Sequence, residues 1–133
     1  MKNIAILLIC MLSISLYGQS EIEYTNNGNA KAASANYKEA IEDYTKAIEL
    51  NPKYFKAYNN RGTCRGTLQD YKGAIADYTK VIELSPKDPK AYYNRGYAKF
   101  EIQEMQGACI DWLMANELGK KEAADLLTKY CKQ

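Results

Sequence analysis

Small and apolar residues recur along this chain at a fixed step of 34 positions. The residues in step include Gly28, Gly62 and Gly96, and also Ala40, Ala74 and Ala108. Within one period, Ala74, Tyr78 and Val81 follow at spacings of four and three, which places them on one face of a helix. The pattern predicts stacked two-helix hairpins, because such hairpins cannot bury their apolar faces alone.

Each period is interpreted as a first helix (helix A), a short turn and a second helix (helix B). The repeats are predicted to cover about residues 21–54, 55–88 and 89–120. In the second repeat, helix A is predicted over 55–67 and helix B over 71–84.

Polar residues mark the predicted helix starts. Ser20 and Glu23 form a capping-box pattern at the first helix. Asn36 and Asp70 stand where helix B needs an N-cap. Asp88 precedes Pro89, a proline at the first helical position, where its missing N–H costs nothing.

The recurring glycines lie inside helix A, where glycine costs about 1 kcal/mol relative to alanine. Their recurrence indicates that helix B approaches closely at these points. Ala30, Cys64 and Ala98 share the neighbouring repeat position. Cys64 is therefore interpreted as a small buried residue and not as a reactive thiol.

Aromatic residues and prolines complete the period. The further residues in step are Tyr37 and Tyr71, Tyr44 and Tyr78, and Pro52 and Pro86. This combination of small residues, aromatics and proline resembles the tetratricopeptide repeat (TPR) over about residues 21–120. The resemblance implies an all-α, right-handed α-solenoid of three TPR helix hairpins plus a C-terminal capping helix.

The third repeat departs from the pattern. Trp112 replaces the tyrosine of helix B, and Gly119 is typical of a helix C-cap. Apolar residues over about 121–131 predict a capping helix that covers the open end of the stack.

The N-terminal segment is predicted to be a signal peptide, residues 1–18. Lys2 precedes an apolar run over 4–16, which is too short to span a membrane. Cleavage is expected after Gly18, with residues 13–15 as an alternative site. Cys10 could also be a lipid attachment site, but Ile9 precedes it where a small residue is needed. We therefore expect an exported protein, in the periplasm, the cell envelope or the medium.

Charge and composition exclude several functions. The net charge of +2 becomes +1 without Lys2, so the chain has no field suited to nucleic acid. It contains no histidine, which removes histidine-based catalysis and most zinc or copper sites. No metal or cofactor is expected.

Cys109 and Cys131 lie ten residues before and twelve residues after Gly119. In an antiparallel helix pair they would face each other, so a disulfide is predicted in an oxidising compartment. The alternative is two unpaired buried thiols.

Paired carboxylates do not indicate an enzyme here. Glu42, Asp43 and Glu49 are predicted to lie on the outer side of helix B beside Lys46, as a solvated charged face. General acid–base catalysis needs carboxylates that converge in a sheltered pocket. A non-catalytic protein is therefore expected.

The concave surface of the A helices is the predicted binding groove. The repeat frame assigns to it Thr25, Asn26, Asn29, Lys56, Asn59, Asn60, Thr63, Lys90, Tyr93, Asn94, Tyr97, Phe100 and Glu101. Amides can bind a peptide backbone, lysines a carboxylate, and aromatic rings an apolar side chain.

Some TPR proteins hold the C-terminal carboxylate of chaperones in a five-residue clamp. By repeat position, Asn29, Asn60 and Lys90 agree with that clamp. Thr25 and Asn94 stand where it has a lysine and an arginine, which argues against this ligand because charge-assisted bonds are lost.

The leading hypothesis is an interaction scaffold that binds a peptide or a partner protein in the groove. The alternative is a structural component whose repeats stack into a homo-oligomer or onto an envelope assembly, without a free-peptide ligand.

Overall fold

The computed structural model describes residues 19–131, and within that range the chain forms seven α-helices and no strand. The predicted signal segment and its cleavage site lie outside the described residues. The helices are α1 (Glu21–Ala33), α2 (Tyr37–Leu50), α3 (Phe55–Thr67), α4 (Tyr71–Leu84), α5 (Pro89–Glu101), α6 (Met105–Glu117) and α7 (Ala123–Tyr130). The all-α prediction is confirmed, and α3 and α4 have the predicted bounds.

All four predicted N-cap residues stand at helix N-caps, and three of them make a side-chain capping bond. The Ser20 hydroxyl accepts a hydrogen bond from the backbone N–H of Glu23 at 3.2 Å. Asp70 and Asp88 accept bonds from backbone N–H groups in the first turns of α4 and α5. Asn36 also stands at the predicted N-cap position, of α2, but its side chain makes no capping bond. The turn before α2 instead provides backbone hydrogen bonds to the carbonyl groups at the end of α1.

That turn recurs in each hairpin. Ala35, Gln69 and Gln103 all have positive φ angles, of 61°, 64° and 67°. In the second hairpin, the residue after this one, Asp70, donates its backbone N–H to the carbonyl of Arg65 at 2.8 Å. The turn therefore ends helix A and leads directly into helix B.

Consecutive helices pack against each other along the whole array, and the A helices also touch one another. The core consists of small residues at the interfaces with larger rings between them. Ala40, Ala74 and Ala108 are fully buried, as are Tyr44 and Trp112. Small residues let the helices approach closely, so each interface buries one large ring against a helix backbone.

The prediction that Cys64 is a small buried residue is confirmed, and two of the three residues at this repeat position are buried. Cys64 and Ala98 are buried, as expected. Ala30 is exposed, because α1 has no preceding hairpin to cover that side.

An ionic cluster recurs inside the stack. Arg61 donates two hydrogen bonds to Asp77, at 3.0 and 2.7 Å, and Arg65 donates a third at 2.9 Å. Arg61 also reaches Thr45 of the preceding repeat at 3.0 Å. The same arrangement joins Arg95 to Asp111 and Thr79 one repeat later.

In the first repeat, the prediction of a solvated Asp43 is wrong. Asp43 is only 6% exposed, and its carboxylate lies 2.6 Å from the ammonium of Lys31. The exposed Asn27 occupies the repeat position of Arg61, so no guanidinium reaches Asp43.

Helix α7 folds back along α6 and closes the end of the array. Cys109 and Cys131 form a disulfide, with sulfurs 2.01 Å apart and Cα atoms 5.8 Å apart. Beneath it, Phe100 packs between Trp112 and Tyr130, with ring centroids 5.8 and 4.7 Å away. These rings form the apolar cover that a further repeat would otherwise provide.

Candidate functional site

The candidate site is the surface that the three A helices α1, α3 and α5 present together, which we call the groove. Its exposed members are Asn29, Lys56, Thr63, Lys90 and Tyr97, and its half-buried members are Asn59, Asn60, Tyr93, Asn94 and Phe100. The predicted contrast with the core is confirmed: Tyr97 is 49% exposed, whereas Tyr44 and Tyr78 are 1% and 4% exposed.

Two predicted positions behave differently. Thr25 is buried and its hydroxyl donates to the carbonyl of Glu21 at 2.7 Å, although it lines a cavity of about 460 Å³ together with Asn29 and Lys56. Phe100 belongs mainly to the end cover, because its ring packs on Trp112 and Tyr130. The groove therefore extends from this cavity at α1 to the neighbourhood of Tyr97 on α5.

Asn29 organises the polar half of the groove. Its Oδ1 accepts a hydrogen bond from the Tyr44 hydroxyl and another from Nδ2 of Asn60, both at 2.8 Å. The amide of Asn29 is thus held by the core below it and by the next repeat beside it. Burial raises the pKa of Tyr44 to about 12, so this hydroxyl stays a donor at neutral pH.

A cavity of about 330 Å³ opens beside this amide pair. Asn59, Thr63 and Lys90 line it together with Asn29 and Asn60. Oδ1 of Asn59 is buried there, with no hydrogen-bond partner among residues 19–131. The polar half therefore combines amide groups with one lysine.

The aromatic half of the groove lies next to it. Thr63 and the Tyr78 hydroxyl are 3.2 Å apart, which repeats the contact between Asn29 and Tyr44. A second cavity of about 310 Å³ has Thr63 at one side and Tyr93 and Tyr97 at the other. Thr63 lines both cavities, so the two halves form one continuous surface.

The third repeat lacks the tyrosine hydroxyl that contacts Asn29 and Thr63, the equivalents of Tyr97, in the other two repeats. Trp112 replaces the tyrosine, and its indole N–H donates to the Tyr93 carbonyl at 3.3 Å instead. The Tyr97 ring therefore has no tyrosine hydroxyl beneath it. It lies at the edge of the cavity, where it can contact a ligand.

The sequence predicts most of the groove residues, but it does not predict the hydrogen bonds that hold them in place. The repeat step located the groove positions, whereas the bonds that fix Asn29 and Thr63 come from tyrosines that were assigned only to the core. The same step already contained that signal, because Tyr44 and Tyr78 recur with it.

Within residues 19–131, no group of three acidic, cysteine or histidine side chains is placed to hold a metal ion. No helix in that range is long and apolar enough to cross a membrane. The groove offers hydrogen bonds, two lysines and aromatic rings, which suit a ligand with a peptide backbone.

The fold and the groove define a helical-hairpin solenoid with an open binding surface. A family model described as TPR repeat matches residues 28–63 and 67–103. The two matches together cover more than half of the chain, which belongs to the TPR repeat family.

Solved structures agree with this assignment. The first TPR of Spaghetti (RPAP3) bound to HSP90 peptide SRMEEVD has a TM-score of 0.80 and 28% identity, covering 84% of this chain and 90% of that one. The second TPR domain of human RPAP3, in complex with HSP70 peptide SGPTIEEVD, has a TM-score of 0.79 and 29% identity, with 84% and 95% covered.

The Arabidopsis OM64 TPR domain is similar as well, with a TM-score of 0.76 and 29% identity over 82% of this chain and 94% of that one. Among the curated proteins, the search found no match.

Proposed function

We propose that this protein is an adaptor that binds an extended segment of a partner protein in the groove. TPR domains are generally non-catalytic interaction modules, and similar TPR domains have been solved with peptides bound. The observation that carries the proposal is the pair of adjoining cavities that share Thr63, one lined by amides and Lys90, the other by tyrosines.

The chemistry of the two halves suggests how such a segment is held. Asn60 and Asn94 occupy equivalent positions one repeat apart and can pair with the backbone of an extended chain. Lys56 and Lys90 are both exposed and suit an acidic side chain or a terminal carboxylate. The free ring of Tyr97 suits an apolar side chain.

A chaperone-type ligand fits this groove poorly. Asn29, Asn60 and Lys90 line one cavity, but Thr25 is buried and Asn94 carries no charge. We expect SRMEEVD, the peptide bound by the RPAP3 domain, to bind this chain weakly. Asn94→Arg is then expected to strengthen that binding about tenfold, because it restores one charge-assisted contact.

A display selection with random seven-residue peptides tests the proposal, followed by affinity measurement on the selected sequences. Asn60→Ala and Tyr97→Ala should each weaken binding by about tenfold or more. Lys72→Ala, at an exposed position on α4, is the matched control and should bind like wild type. Equal affinities for all four proteins would refute a binding role for the groove.

We further propose that the protein works in an oxidising compartment after export. The support comes from the signal-like residues 2–18 and from the disulfide between Cys109 and Cys131. Mass spectrometry of the protein isolated from its own cells should find an N-terminus after Gly18. An intact N-terminus together with reduced cysteines would contradict export.

A further inference from the structure

Two cavities of the groove are the same site one repeat apart. We call the cavity beside Asn60 the amide cavity and the cavity beside Tyr97 the tyrosine cavity. A step of 34 positions relates lining residues of the first to lining residues of the second, namely Tyr37 to Tyr71, Asn59 to Tyr93 and Thr63 to Tyr97. The backbone frame is thus shared, and the side chains alone make the two cavities chemically different.

The tyrosine cavity is more aromatic than the amide cavity and differs from it in charge. Two tyrosines, Tyr93 and Tyr97, stand where the amide cavity has an amide and a hydroxyl. Lys90 lines the amide cavity, whereas no lysine or arginine of the described residues lines the tyrosine cavity. Glu101 follows Tyr97 by four residues, which places it on the same face of α5, and it is exposed.

The contrast in charge follows one stripe along α5. Its members are Lys90, Asn94, Tyr97 and Glu101, at successive spacings of four, three and four, so all of them lie on one helical face. Lys90 and Glu101 are separated by eleven positions, or about 16 Å along the helix axis. The stripe runs from a cation, past an amide and an aromatic ring, to a carboxylate.

Glu101 acts on the tyrosine cavity and has no ionic partner of its own. Burial and the nearby Glu101 carboxylate raise the pKa of Tyr71, which lines the cavity from α4. Glu101 forms no ion pair with any of residues 19–131. Its charge is therefore available to a ligand.

The other charges at this end of α5 do not cancel Glu101. Glu104, at the start of α6, is a second exposed carboxylate. Arg65 and Lys99 each lie 2.9 Å from a buried aspartate. Lys72 is exposed on α4 but does not line the cavity. The charge that a ligand meets at this end is therefore negative.

Two of the tyrosine rings are free to contact a cation. The Tyr93 ring already has the ammonium of Lys120 at 5.2 Å from its centroid, and Lys120 is itself paired with Glu122 at 2.8 Å. Among residues 19–131, no cation lies over the rings of Tyr71 and Tyr97. A cation in this cavity would gain cation–π contacts in addition to the carboxylate.

We propose that the tyrosine cavity binds an arginine side chain of the partner segment, with the guanidinium paired with Glu101 and stacked on Tyr97. This inference rests on the adaptor function proposed above. Arginine fits better than lysine, because its guanidinium is planar, stacks on aromatic rings and can donate two parallel hydrogen bonds to one carboxylate. Its aliphatic stem covers the apolar part of the ring.

The stripe on α5 also sets the spacing within the partner segment. An acidic side chain at Lys90 and an arginine at Glu101 are about 16 Å apart. An extended chain spans about 3.3 Å per residue, so the two residues should be about five positions apart in the partner.

Parallel selections with random seven-residue peptides test the inference, one on the wild-type chain and one on Glu101→Lys. Wild-type selection should enrich arginine at one position, and the Glu101→Lys selection should lose that enrichment. Glu101 is exposed, so its replacement should leave the fold intact. Glu49→Gln removes an exposed carboxylate from α2 and is the matched control for Glu101→Gln, with wild-type affinity for the selected peptides.

A double-mutant cycle with one selected peptide tests the contact itself. Glu101→Gln and replacement of the peptide's arginine by glutamine should each weaken binding about tenfold. The two changes together should weaken it little more than either one alone, because they remove the same contact.

Selected peptides without an arginine preference would overturn this inference and leave the adaptor function standing. Additive effects in the cycle would also overturn it, because the arginine and Glu101 would then not touch. A selection that yields no binding peptide would overturn both proposals.

Discussion

The backbone of Gly28 lies directly against the ring of Tyr44. A Cβ built on Gly28 would come within 2.6 Å of Cε1 of that ring. Gly96 has the same relationship with Trp112, at 2.7 Å. The glycines that recur inside helix A therefore make room for the large ring of helix B in the same hairpin.

Gly28→Ala is expected to lower the free energy of unfolding by about 1–3 kcal/mol, because the ring is buried and cannot move aside. Gly66→Ala is the matched control. Gly66 is also in an A helix, but nothing lies within 4 Å of its added Cβ. It should stabilise the protein by about 0.5–1 kcal/mol through helix propensity. Urea unfolding measures both, and equal effects of the two changes would contradict the close-packing explanation.

Asp77→Ala is expected to cost about 3–5 kcal/mol, because it leaves Arg61 and Arg65 without their carboxylate in a buried site. Asp43→Ala should cost less, since only Lys31 pairs with Asp43. The exposed Glu42→Ala serves as the control and should change stability by less than about 0.5 kcal/mol. The order of the three unfolding midpoints checks the prediction; a smaller effect at Asp77 than at Asp43 would show that the cluster contributes little.

Stability should fall in alkaline solution because of Tyr44. A free tyrosine loses its proton near pH 10, whereas burial raises the pKa of Tyr44 to about 12. Between these values the folded state binds more protons than the unfolded state, so stability is lost as the pH rises. The full loss should be on the order of 3 kcal/mol, since the pKa rises by about two units and each unit corresponds to about 1.4 kcal/mol.

Denaturant unfolding between about pH 9 and pH 11.5 measures this slope. Tyr44→Phe should flatten it, although the lost hydrogen bond to Asn29 costs about 1 kcal/mol at neutral pH. An unchanged slope in Tyr44→Phe would assign the alkaline loss to other groups.

Replacing both Cys109 and Cys131 by serine is expected to lower stability by about 3 kcal/mol and the melting temperature by about 10 °C. Peptide affinity at low temperature should stay the same, because neither cysteine lines the two groove cavities. A reductant should lower the wild-type melting temperature to that of the variant and leave the variant unchanged. A wild type insensitive to reductant would mean that the bond is absent.

The 34-residue step was sufficient to predict the helices, because small residues and aromatics must recur wherever identical hairpins stack. The step could not predict the hairpin turns. A positive φ angle usually falls on glycine, but in these turns it falls on Ala35, Gln69 and Gln103. The local backbone bond that ends helix A, from the N–H of Asp70 to the carbonyl of Arg65 in the second hairpin, closes around the positive-φ residue.

The ionic cluster was missed for a different reason. Asp77 and Asp111 keep the same step as Arg61 and Arg95, so the signal was present in the sequence. Charged residues on helix B were assigned to solvent, which is correct for Glu42 but wrong for its neighbour Asp43. Position on the helical face and the recurrence of an opposite charge distinguish the two cases.

Arg61 contacts both its own hairpin and the preceding one, which has a mechanical consequence. A solenoid whose units touch only their neighbours can come apart one hairpin at a time. Arg61 and Arg95 each hold an aspartate of their own hairpin and also donate to a threonine of the one before, so neither interface can open without breaking that arginine–threonine hydrogen bond. Tension applied along the array is thereby resisted at each interface by a polar contact as well as by apolar packing.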